Sequence, residues 1–104
     1  MRKFLTKKGH IAYECTREEM LKVSHGLGIC DWCATSHFNL FLVPVLNSAM
    51  CPECFKTWEN RATFYEEDKD FEVEYAHTID KLAHNNQIDL VDETGGCCGT
   101  NRRI

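Results

Sequence analysis

The hydrophobic pattern divides the chain near its midpoint, with short β-compatible stretches before Cys51 and helical stripes after it. KFLT and HIAYE flank KKG, whose glycine suits a turn, so residues 2–14 read as a hairpin. TREEMLKVSHG follows. Thr16 and Glu19 have capping-box spacing, Met20 and Val23 share a face, and Gly26 is placed to end a short helix. FNLFLVPVL is a strand candidate in which Pro44 marks an edge or an end, and the chain turns through Asn47-Ser48.

From Cys51 the period lengthens. Phe55, Trp58, Ala62 and Tyr65 form one apolar stripe, and Pro52 fits a first helical turn, where a missing N–H costs nothing. Phe71, Tyr75, Ile79 and Leu82 form a second stripe, which predicts a helix from about Asp70 to His84 that stops at HNNQ. Residues 95–104, GGCCGTNRRI, lack periodicity and read as a flexible tail, leaving 1–94 as a single α+β domain.

A chain of 104 residues builds only a modest core, and its seven cysteines offer a staple. No export signal is evident, and the longest strongly apolar run, FLVPVL, is far too short to span a bilayer. A cytoplasmic location is therefore expected, with no membrane association. Thiols stay reduced there, so CDWC and CPEC are read as metal or redox sites before disulfides.

The pairs Cys30/Cys33 and Cys51/Cys54 are separated by 17 residues, within the range of a four-thiolate zinc site. Each two-residue gap lets both sulfurs reach one ion. A knuckle at the first pair turns amide N–H groups toward sulfur, and a helix start at the second favours thiolate. One structural Zn²⁺ is the expected cofactor. Four thiolates also suit iron. A redox CxxC protein is a remote alternative, because it requires a βαβ setting and leaves CDWC without a role.

The order of knuckle, hairpin and helix-opening CPEC resembles the treble-clef zinc finger over residues 28–65. The longer string GICDWC…LVPVLNSAMCPECFKTWENRATFYEED is similar to small uncharacterised zinc-finger proteins of Gram-positive bacteria and their mobile elements. The resemblance implies a treble-clef core with an N-terminal hairpin and short helix packed on it and a C-terminal helix beyond. It carries Cys30, Cys33, Cys51 and Cys54 over as zinc ligands, and brings no activity.

The remaining chemistry is sparse. Cys15 reads as a small buried hydrophobe, and Cys97 and Cys98 as part of the tail. His77 and His84 suit a helix surface, while His25 and His37 flank the knuckle, where one could hydrogen-bond a thiolate. His37 and Asn39 in SHFN hint at an HNH-type nuclease, but the partnering histidines and asparagine after the second pair are missing. No Ser/His/Asp set or phosphate loop is present, so a non-enzymatic protein without a small-molecule substrate is expected.

Formal net charge is −4, and four thiolates around one divalent ion lower it by two, to −6. That balance disfavours non-specific phosphate binding. Glu66, Glu67, Asp68, Asp70, Glu72 and Glu74 form an acidic run that suits either a solvated helix start or a docking face for a basic partner. Arg2, Lys3, Lys7 and Lys8 on the hairpin, with Lys56 and Arg61 on the finger helix, are the best argument for nucleic acid. The leading expectation is a zinc-dependent protein-interaction module, regulatory or inhibitory toward a nucleic-acid-handling protein. A nucleic-acid-binding finger is the second.

Overall fold

The computed structural model describes residues 1–23 and 29–94. Gly26, Gly28, His25 and the tail with Cys97 and Cys98 lie outside the described residues.

The hairpin at the N-terminus consists of β1 (Arg2–Leu5) and β2 (Ile11–Thr16), paired antiparallel with Lys3 opposite Tyr13. Its turn is closed by hydrogen bonds from Thr6 N–H to the His10 carbonyl and from Gly9 N–H to the Thr6 carbonyl. Gly9 takes a φ of +92°, a backbone angle that side chains disfavour. The expected capping box starts α1 (Arg17–Val23): Thr16 Oγ1 accepts the Glu19 N–H at 3.2 Å, and Glu19 Oε1 accepts the Thr16 N–H at 2.9 Å. Met20 and Val23 are its buried residues.

β3 (Asn39–Val43) runs antiparallel to β2, and Pro44 ends it by opening a 3-10 turn over Pro44–Leu46. Asn47, left-handed at φ 51°, completes the reversal into β4 (Ser48–Met50). The two hairpins are one sheet. With the two-residue β5 (Val91–Asp92), parallel to β1 and invisible to periodicity, its order is β4-β3-β2-β1-β5.

Two helices cover opposite faces of this sheet. α2 (Pro52–Arg61) lays Phe55 against Phe41, stacked at 4.2 Å between ring centroids, and against Phe4 at 6.0 Å. α3 (Lys69–Asn85) meets the other face, where the Tyr13 hydroxyl donates to the Ala76 carbonyl and to Asp80. With helices on both faces, β2 buries Ile11, Ala12, Tyr13 and Cys15 rather than alternating.

Both helical stripes need correction. In α2, Phe55 and Trp58 are buried, but the helix ends at Arg61, so Ala62 is its buried cap and Tyr65 stands 53% exposed beyond it. In α3 the buried residues are Glu72, Ala76, Ile79 and Ala83, while Phe71 is 51% exposed and Tyr75 and Leu82 sit at the border. Alanines let the helix approach the sheet closely, and a pattern weighted toward large apolar residues passes over them.

Glu72 faces inward because the sheet supplies partners. One carboxylate oxygen meets His10 Nδ1 at 3.0 Å and accepts the Ile11 N–H at 3.2 Å, while the imidazole packs between Trp58 and Phe64. Lys3, only 4% exposed, faces the same helix and pairs with Asp80 at 2.8 Å. Glu72 therefore leaves the expected acidic surface, and Lys3 leaves the expected basic patch.

Removing one partner of a buried pair strands the other, so Glu72→Ala is expected to cost ~3–5 kcal/mol. Exposed Glu67→Ala is expected to stay within ~0.5 kcal/mol. Urea unfolding of both variants is the check, and equal midpoints would contradict the buried pair.

Candidate metal centre

Three elements bring the cysteines together. The first pair is on a tight loop, where the Ala34 N–H donates to the Cys30 carbonyl and the Cys30 N–H to the Thr35 carbonyl, each at 2.9 Å. Ala34 is left-handed, with φ 60°. Trp32 N–H points at Cys30 Sγ, at 3.4 Å. Asp31 fastens the loop to β4: its N–H donates to the Ala49 carbonyl, and its carboxylate accepts the Ala49 N–H, both at 2.8 Å. The second pair opens α2, with Cys51 as the extended N-cap, Pro52 next and Cys54 in the first turn.

All four Sγ atoms lie within 4.8 Å of one another, so the cysteines are positioned to hold a metal ion. A tetrahedral ion bonded to sulfur at about 2.3 Å sets its ligands roughly 3.8 Å apart. Cys33 Sγ and Cys51 Sγ are 3.8 Å apart. Cys30 and Cys51 are buried, Cys54 is half-buried and Cys33 is exposed.

Four sulfurs this close cannot all carry charge without a cation among them. Hydrogen bonds from the Thr35 hydroxyl and backbone, ahead of those from Cys30 and Cys51, pull the Cys33 thiol down to about 6. The Cys54 thiol is pushed up to about 12, first by its hydrogen bond to Cys51 and then by burial and the other two cysteines. Protein donors thus stabilise the Cys33 thiolate, whereas Cys54 would ionise beside a cation such as a divalent metal.

Behind Cys33 runs a short relay. Thr35 Oγ1 is 2.9 Å from Cys33 Sγ and 2.6 Å from His37 Nε2. With Cys33 as thiolate, the hydroxyl donates to sulfur and accepts from the imidazole. His37 thus reaches a thiolate, as its position beside the knuckle suggested, but through Thr35. Asp31 and Thr35 were missed by sequence reasoning, and no spacing rule marks either.

Cys15 lies apart from the cluster, buried, with its thiol raised to about 12 chiefly by desolvation, as suits a small core hydrophobe. His77 and His84 are exposed on α3. The basic candidates do not form one free patch. Arg2 is shared between Glu14 at 2.9 Å and Glu93 at 3.0 Å. Lys7 reaches Asn60, and Lys8 donates to the Ala62 carbonyl at the C-terminal end of α2, where a cation is favoured. Lys56 is exposed, and the Arg61 guanidinium lies 5.6 Å from the ring centroid of Trp32. Of the acidic run, Glu66, Glu67 and Asp68 form an exposed 3-10 turn, and Asp70 and Glu74 are exposed on α3.

Comparison of the chain with known protein families, curated sequences and solved structures gives no match. No helix among the described residues is long and apolar enough to cross a membrane.

If Thr35 supports the bound thiolate, Thr35→Val should release metal to a competing chelator about 10–100-fold faster, the usual cost of losing an outer hydrogen bond. A chromogenic chelator assay reads the rate. Release at the unchanged rate would remove Thr35 from the site.

Proposed function

We propose that this chain is a non-catalytic zinc-binding protein-interaction module, in which Cys30, Cys33, Cys51 and Cys54 hold one structural Zn²⁺. The convergence of four sulfurs within 4.8 Å carries this reading. A tetrahedral ion with four thiolates has no open position for a reacting water, so the metal serves as scaffold. The knuckle at Cys30–Cys33, the β3–β4 hairpin and the CPEC-headed α2 follow one another in treble-clef order, which supports that fold reading for residues 28–65.

The work of the protein is then on its surface. The exposed carboxylates Glu66, Glu67, Asp68, Asp70 and Glu74 have no ion-pair partner among the described residues, unlike the basic hairpin, whose Arg2 and Lys3 are already paired. That asymmetry favours a basic protein partner, such as a nucleic-acid-handling protein that this chain would regulate or inhibit. The second reading, a nucleic-acid-binding finger, draws on Trp32, 43% exposed with Arg61 against its ring.

Elemental analysis is expected to find one zinc per chain. Cys51→Ser should lose it together with cooperative unfolding, because structural zinc supplies ~10–16 kcal/mol of apparent binding energy. A Cys51→Ser variant with unchanged thermal unfolding and metal content would overturn the assignment, and an iron content of one per chain would replace zinc.

Neutralising the run by Glu66→Gln, Glu67→Gln, Asp70→Asn and Glu74→Gln should abolish capture of a basic partner. Nucleic-acid binding that weakens steeply with salt would instead favour the second reading. Unchanged capture places docking elsewhere.

A further inference from the structure

The acidic run begins beside a cavity of about 280 Å³ whose lining includes His10, Val45, Leu46, Trp58, Tyr65 and Asp68. We propose that this cavity seats an arginine side chain presented by a basic partner protein. The inference rests on the protein-interaction reading above and gives that docking face an anchor point.

The walls suit a guanidinium on an alkyl stem. Val45 and Leu46, from the 3-10 turn after β3, give apolar surface for methylenes, and Trp58 and Tyr65 add aromatic surface to the lining. A flat, weakly hydrated cation stacks on such rings while its edge forks to a carboxylate. Asp68 supplies that carboxylate: its side chain has no hydrogen-bond or ion-pair partner among the described residues, and Glu66 and Glu67 adjoin it.

The base of the cavity does not repel a cation. His10 is joined to the Glu72 carboxylate at 3.0 Å, so no unbalanced positive charge faces the cavity from there. Among neighbouring cations, Lys8 is turned to the Ala62 carbonyl at 3.0 Å, and Lys69 lines a separate cavity with Phe64 and Glu72. A phosphate entering here would meet Asp68 and its acidic neighbours, so the charge opposes a nucleic-acid backbone and fits a basic peptide.

The test uses the metal-loaded full chain and three capped pentapeptides, Ser-Gly-X-Gly-Ser, with X as arginine, lysine or citrulline. Amide and indole NMR signals are followed during titration. The arginine peptide is expected to shift the Trp58 indole and the Tyr65 and Asp68 amides saturably. The lysine peptide should bind about tenfold more weakly and citrulline not measurably, since fork geometry and charge are both required. Asp68→Asn, an exposed change that should leave thermal unfolding unaltered, is expected to weaken the arginine peptide about tenfold.

Equal shifts from arginine and lysine, spread along the acidic run, would overturn the seat while leaving the docking face intact. So would a basic partner whose capture requires Glu66, Glu67, Asp70 and Glu74 but tolerates Asp68→Asn. Shifts at these residues from a single-stranded RNA, and none from the arginine peptide, would also overturn it. If Arg102→Gln with Arg103→Gln moves the Trp58 and Tyr65 signals without peptide, the occupant is this chain's own tail and the partner proposal falls.

Discussion

Convergence of four cysteine sulfurs on one small space is the constraint on which this structure turns. The four Sγ atoms share a space 4.8 Å across, where several negative charges are tolerable only around a cation. Donors of the chain itself stabilise one of them, through Thr35 at Cys33. The knuckle, β4 and the start of α2 therefore meet at a common point, where a bound ion would cross-link a chain of 104 residues whose own core is modest.

The sheet extends that order across the molecule. Cys51 follows β4 directly, and α2 runs from it over Phe41 and Phe4, so the sulfur site sets where the aromatic face of the sheet is covered. The opposite face is closed by α3, with two polar ties sunk beneath it: Lys3 and Tyr13 on Asp80, and His10 on Glu72. These ties are directional contacts between the sheet and α3, and losing one partner would leave the other buried without its bond.

The same packing removes several charges from the expected surfaces. Lys3 and Glu72 are drawn inside, Lys7 and Lys8 are turned to the end of α2, and Arg2 is divided between two carboxylates. Among the described residues, Glu66, Glu67, Asp68, Asp70 and Glu74 stay exposed without an ion-pair partner around the 3-10 turn and along α3. An exposed aromatic, Tyr65, stands beside it, and that pairing of chemistries distinguishes this side from an ordinary solvated helix start.

By itself the sequence determined what depends on neighbours along the chain. The Thr16–Glu19 capping box, the glycine turn after Lys8, the end of β3 at Pro44 and the helix start at Pro52 are local geometry, legible from residue type and spacing. The grouping of Cys30, Cys33, Cys51 and Cys54 was also legible, because two short-spaced pairs can reach one ion without knowledge of the fold. Only the tertiary structure decided which face of α3 is buried, that the two hairpins form one sheet, that β5 joins it, and which charges stay outside. Each of those outcomes depends on partners distant in sequence, as Glu72 on His10 and Lys3 on Asp80, and a charged residue reads as exposed until its buried partner is found.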